Sequence, residues 1–237
     1  PPSILNIGLN NKKYNEIKKK LNINLASKLY LRFILSYSID VMRLDEELFD
    51  PVVNKTISES SIKEALAIYA EEMSEPFPQN AKQQLEQVLN SMIRAWNGTT
   101  ARLLRQVQNA PEDAGFGLII QRMVLGFGKT ESGSGVAQFV SPLDGSKKVT
   151  GRYLSQSQGK ESLEIENSLF LTKDKRGKSL EEHMPKIFSE LCRLGEEARF
   201  KTRDELELDF TIENEKLWLL DAAPARRSAR AAIKIVI

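Results

Sequence analysis

The sequence predicts an α+β protein: a mainly helical portion over residues 1–110, then an α/β portion with mostly antiparallel strands over residues 111–237. Three observations lead there. Apolar residues in the first half recur at helical spacing, as in Leu29, Phe33, Tyr37 and Val41. Beyond Pro111 the pattern changes to short apolar runs separated by turns rich in glycine and proline. Further on, Glu205, Glu207 and Asp209 alternate with Leu206, Leu208 and Phe210, the period-two signature of a half-buried strand. A chain of 237 residues is long enough to bury a real core, as one large domain or two small ones.

Residues 11–21 read as a Lys-rich helix and residues 25–42 as a longer amphipathic one. Residues 45–53 form a short helix or turn broken at Pro51. Residues 60–73 form a third amphipathic helix, with Ile62, Ala65, Leu66, Ile68 and Tyr69 inward and cap residues at Ser58 to Ser61. Pro76-Phe77-Pro78 reads as a linker, and residues 79–108 as one long helix or two joined at Asn97-Gly98. Residues 117–121 and 123–125 are strand-like, followed by the glycine-rich turn GFGKTESGSGV. Strands at 137–140 and 149–154 flank a turn at Pro142-Leu143-Asp144-Gly145. A helix around Cys192 precedes a hairpin over 205–221, with its turn at Glu213-Asn214-Glu215.

Composition narrows the function. Hydrophobic residues are 41% and charged residues 28% of the chain, ordinary for a globular protein. The net charge of +2 argues neither for nor against nucleic acid. The basic segment Arg226-Arg227-Ser228-Ala229-Arg230 has few aromatics and reads as the solvated face of a short helix, so nucleic acid is not expected. No apolar run is long enough to span a membrane, and PPSILNIGLNN does not read as a secretory signal. The single Cys192 excludes an internal disulfide and fits a reducing, cytoplasmic setting. With one histidine, His183, and no cysteine near it, a zinc site is not expected.

The acid row admits two readings. It is the wet face of an antiparallel sheet, or a cation site, since the hairpin can carry Asp221 towards Glu207 and Asp209 and three carboxylates together repel without a cation. The glycine-rich turn lacks the first glycine of a Walker A loop, as position 123 is Met. Its N–H groups, with Lys129, can face a phosphate, or it is a plain hairpin turn.

Several blocks, in order and spanning nearly the whole chain, resemble the nucleotide-binding, ATP-grasp domain of pyruvate, phosphate dikinase. Leu5 to Asn11 resembles that family's LNLGLND. Phe77-Pro78, Gln84-Leu85 and Trp96-Asn97 resemble its FPxxxxxQLxxAIxAVFxSWN. Ile120 to Phe127 resembles VQxMVFGN, and Ser132 to Val136 resembles SGTGV. Gly151 to Glu161 resembles GEYLxNAQGED; Glu207 to Thr211 and Leu220 to Ala232 resemble DIEFT and LQTRxGKRTAxAA.

The resemblance implies a domain that binds ATP with Mg2+ and phosphorylates a histidine on another domain. Glu207 and Asp209 would hold the metal, with Asp221 assisting. Gln121, Met123 and Leu125 would line the adenine pocket, and a loop at Gly133 and Gly135 would cover the phosphates. No residue of the chain is expected to be catalytic by itself; the partners implied are the family's phosphohistidine and pyruvate-binding domains. The departures are specific. The family's Gln and Arg of LQTR are Asp221 and Ala223, its Glu of GEYL is Arg152, and the Arg of its FTRNPSTGE is lost at Ser141. Losing a phosphate-clamping arginine removes transition-state stabilisation worth orders of magnitude in rate. The 237 residues also hold no counterpart of the family's other domains or of the stretch before LNLGLND. The expectation is a fragment or truncated relative that does not turn over ATP in isolation, or a degenerate relative acting by association.

Overall fold

The computed structural model describes residues 4–111, 113–159 and 167–236, with side chains to residue 234; Lys160 and Glu161 of the GEYL-like block lie outside the described residues. The chain divides into two compact units, Pro1–Met123 and Val124–Ile237. Composition alone put the division at residue 110. Residues 113–123 group with the first unit, where Phe116 packs on Trp96 with ring centroids 5.2 Å apart.

The first unit is helical. It contains α1 (Asn11–Lys20), α2 (Ile23–Ser36), α3 (Asp50–Val53), α4 (Glu59–Met73), α5 (Ala81–Asn97) and α6 (Thr99–Val107). Asparagines start three of them. Asn10, Asn22 and Asn80 accept from the backbone N–H of Lys13, Leu25 and Lys82 at 2.9, 2.8 and 2.8 Å. A side-chain oxygen there satisfies one of the N–H groups that a helix leaves over. Helix α2 continues into a π-helical turn, Tyr37–Val41, within the stretch expected to be one helix. Pro51 does not break the short helix but sits in its first turn, where its missing N–H costs nothing. As expected, Gly98 separates α5 from α6.

Pro76-Phe77-Pro78 is not a free linker. Phe77 is buried and meets Phe33, Tyr37 and Tyr69 edge-on or nearly so, at 5.8, 5.1 and 5.1 Å between centroids. The prolines stop the helix, while the ring between them anchors the chain in the aromatic core. Gln84, fully buried, ties the chain's start to the same region. It accepts from Gly8 N at 2.7 Å and donates to the carbonyls of Leu9 and Pro78 at 3.0 and 2.7 Å.

The strands expected at 117–121 and 123–125 do not form; those residues have no regular structure. An apolar run signals a wish to be buried but does not supply a ladder partner. Ile119 and Ile120 remain exposed.

The second unit is built on an antiparallel sheet of five strands: β1 (Gly133–Val140), β2 (Lys147–Ser155), β3 (Leu169–Phe170), β4 (Leu206–Glu213) and β5 (Lys216–Pro224), in spatial order β3-β2-β1-β4-β5. Helices α7 (Leu180–His183) and α8 (Pro185–Thr202) precede β4, and α9 (Ala229–Val236) follows β5. One core joins Leu180, Ile187 and Leu191 of the helices to Tyr153, Leu206, Leu208, Phe210 and Ile212 of the sheet. Arg203, in the left-handed conformation, ends α8 and turns the chain into β4. Glu205, also buried, meets Arg199 Nε at 2.6 Å through one oxygen, while its Oε2 has no hydrogen-bond partner among the described residues. The hairpin turn falls where expected: Asn214 and Glu215 both take positive φ, the geometry of a tight two-residue turn.

Two tests follow from the first unit. Replacing Gln84 by Leu strands three backbone groups, each worth about 1–3 kcal/mol if left unpaired, so urea unfolding should show a loss of about 2–5 kcal/mol. Burial pushes the Tyr69 hydroxyl up to about 12, with Glu75 adding to the effect, and its oxygen has no hydrogen-bond partner among the described residues. In the unfolded chain tyrosine ionises near pH 10. Stability is therefore full below pH 10 and falls as pH rises towards 12. Tyr69→Phe should flatten that fall and cost little at pH 7.

Candidate functional site

Strand β4 sets the site. Leu206, Leu208, Phe210 and Ile212 enter the core, so Glu207, Asp209, Thr211 and Glu213 take the other face. The register extends this polar face across the sheet. Asp209 stands opposite Val136 on β1 and Asp221 on β5, and Val136 stands opposite Arg152 on β2. In the next row Thr150, Gln138, Glu207 and Ala223 align, and on the other side Ser134, Thr211 and Trp218.

Asp221 reaches this face because of a bulge. Phe210 pairs with Leu219 and Asp209 with Asp221, so Leu220 is an extra residue. Uninterrupted pairing would set Asp221 opposite Leu208, on the core side. Alternation in the sequence does not reveal the inserted residue.

The hairpin does bring Asp221 beside Asp209, but the three acids do not close on a point. Among the described residues no group of three or more His, Cys, Asp or Glu is placed to hold a metal ion. Glu207 faces Ala223 rather than an acid on β5, and its Oε2 accepts from Gln138 Nε2 at 2.8 Å. What the face offers is a pair, Glu207 and Asp209, two residues apart on one strand and half-buried, with Asp221 exposed beside them. Magnesium is commonly held by one or two carboxylates together with the phosphates of its nucleotide, and that donor set fits the pair.

Gly133 and Gly135 lie inside β1, not in a loop. Both edges of β1 are taken up by β2 and β4, so these glycines do not present free N–H groups to a phosphate. A Cβ on Gly133 would collide with Tyr153 and the Leu154 carbonyl; on Gly135 it would collide with the Phe210 ring. Those two rings stack at 6.2 Å with 7° between their planes. The glycines are demanded by packing. The irregular turn precedes them, ending at Ser132, with Lys129 exposed.

Gln121 and Met123 lie in the irregular end of the first unit, the former exposed and the latter half-buried. Leu125 lies in the second unit, where its backbone N–H donates to Glu213 Oε1 at 2.8 Å. That bond ties residue 125 to the hairpin end of the polar face.

Sequence reasoning missed Gln138, Lys216 and Glu131, and the contacts that Arg152 and His183 make. Gln138 orients Glu207, and only the β1–β4 register reveals it. Arg152 lies over the Phe170 ring at 3.7 Å, with Arg176 at 4.7 Å. Lys216 Nζ lies 4.3 Å from the centre of the Trp218 ring. Glu131 gathers the Tyr153 hydroxyl at 2.9 Å and His183 Nε2 at 3.4 Å; burial, then this bond, holds the Tyr153 proton well above its usual range. Cys192 is half-buried against the core, where burial raises its thiol, in line with a packing role. Arg227 pairs with Asp204 at 3.1 Å rather than facing a ligand.

A five-stranded antiparallel sheet with carboxylates on one face and a helix on the other, preceded by a helical unit, defines an α+β chain. Comparison with known proteins then places it. It is 30% identical to pyruvate, phosphate dikinase of Clostridium symbiosum over 98% of its length, and 29% identical to that of Rickettsia conorii over 99%. It is 26% identical to the chloroplastic pyruvate, phosphate dikinase of Flaveria trinervia over 99%. The chain spans about a quarter of the length of these relatives, 26–28%. It is a divergent relative of one segment of pyruvate, phosphate dikinase. No family model matches it.

The Asp209–Asp221 pairing yields a test. Like charges directly opposite on adjacent strands destabilise a sheet by about 0.2–1 kcal/mol. Asp221→Asn should raise stability by about that amount in magnesium-free, low-salt buffer. The gain should shrink as salt is added, measured by urea unfolding.

Proposed function

We propose that this chain is a nucleotide-binding module of the dikinase type, with an ATP-grasp arrangement, that holds magnesium-ATP on the polar face of its sheet. The observation that carries this reading is the Glu207–Asp209 pair on one strand face, in a chain that aligns with dikinases over nearly all its length. In this reading Glu207 and Asp209 hold Mg2+, which neutralises phosphate charge, and Gln138 keeps Glu207 oriented. Asp221 assists from β5. Leu125, tied to Glu213, lies towards the base. Gly133 and Gly135 contribute by letting β1 pack close to Tyr153 and Phe210. The partners are the phosphohistidine-bearing and pyruvate-binding domains of a dikinase.

We further propose that the module binds but does not turn over ATP. Arg152 is engaged with Phe170, and Ala223 supplies no charge in the row of Glu207. Stabilisation of a transferring phosphoryl group needs cations aimed at it. A second reading, association without nucleotide, draws support from apolar side chains left exposed in the first unit: Leu103, Leu104 and Val107 of α6, and Ile119 and Ile120.

Calorimetric titration of the whole chain with MgATP tests both. Micromolar binding is expected, with Glu207→Ala and Asp209→Ala each weakening it by about tenfold or more. No heat at millimolar MgATP would leave the association reading. Release of AMP and pyrophosphate by the chain alone would overturn the absence of turnover.

A further inference from the structure

Resting on the nucleotide-binding reading above, we infer that Trp218 is the platform on which the base stacks, which makes the site tolerant of different purines. The register puts Trp218 on the same sheet face as the acids: it stands opposite Thr211, in the next row on that face after the Asp209–Asp221 pair. The bulge at Leu220 is what sets Trp218 and Asp221 on one face. Leu125 arrives at the same end, through its bond to Glu213, whose cross-strand partner is Lys216. Along this face, from the hairpin end, lie a lysine opposite Glu213, an exposed indole opposite Thr211, and then the facing carboxylates Asp209 and Asp221.

The indole is 37% exposed, on an edge strand, and Lys216 Nζ lies 4.3 Å from its centroid. A cation over an aromatic face is a contact that a purine can replace, because stacking covers more of the ring than one ammonium does. Stacking reads the π-face of a base and not its hydrogen-bonding edge, so it does not separate adenine from guanine.

The test is calorimetric titration of the full chain with MgATP, MgGTP and magnesium tripolyphosphate, repeated with Trp218→Leu and Trp218→Phe. Circular dichroism confirms that each variant folds. MgATP and MgGTP are expected to bind within about threefold of each other, and Trp218→Leu to weaken both by about tenfold. Tripolyphosphate binding should be unchanged in Trp218→Leu, and Trp218→Phe should recover most of the nucleotide affinity. MgATP binding unaffected by Trp218→Leu would overturn the stacking role and leave the nucleotide reading standing. Equal weakening of tripolyphosphate and MgATP would also overturn it, since the residue would then act through the fold. Failure of MgATP and tripolyphosphate alike to bind the unaltered chain would overturn both readings.

Discussion

The second unit depends on one constraint: the pairing of β1 on both edges, with β2 on one side and β4 on the other. That pairing brings two strands close enough for Tyr153 and Phe210 to stack across the glycines of β1. A side chain at Gly133 or Gly135 would push the rings apart and open the core. Because the side-chain period of a strand is two, the same register decides what lies on the opposite face. Core packing and the arrangement of the carboxylates are thus one choice seen from two sides.

The electrostatics of that face follow from it. Asp209 and Asp221 are set directly opposite, an arrangement that weakens a sheet unless a cation answers it. Glu207 is steadied by Gln138, whose side-chain amide donates to its Oε2. The cationic side chains nearest in register are directed elsewhere, Arg152 to Phe170 and Lys216 to Trp218. In the proposed reading such a face holds a divalent metal with its nucleotide but lacks the cations that phosphoryl transfer needs.

The helices were largely legible in the sequence, because their signals are local. Spacing of Leu29, Phe33 and Tyr37, the asparagine caps and Gly98 each act within a few residues. The acid strand and its turn were legible for the same reason. Residues 117–125 misled, since their apolar run needed a neighbouring strand that the fold does not place there. Gly133 and Gly135 misled in the opposite way. Glycines in a row suggest a loop, yet here they relieve crowding inside a buried strand.

By itself the sequence determined the α+β class, the helical first half, the hairpin with its carboxylates on one face, and kinship with a dikinase segment. Each rests on periodicity, caps, turns or ordered blocks, which are written along the chain. The tertiary structure alone decided that Asp221 joins the polar face through the bulge at Leu220, that Gln138 holds Glu207, and that Phe77 is core. It also decided that Trp218 stands beside the acids. These facts depend on register and on contacts between residues far apart in sequence, and a one-residue shift in pairing reverses every face.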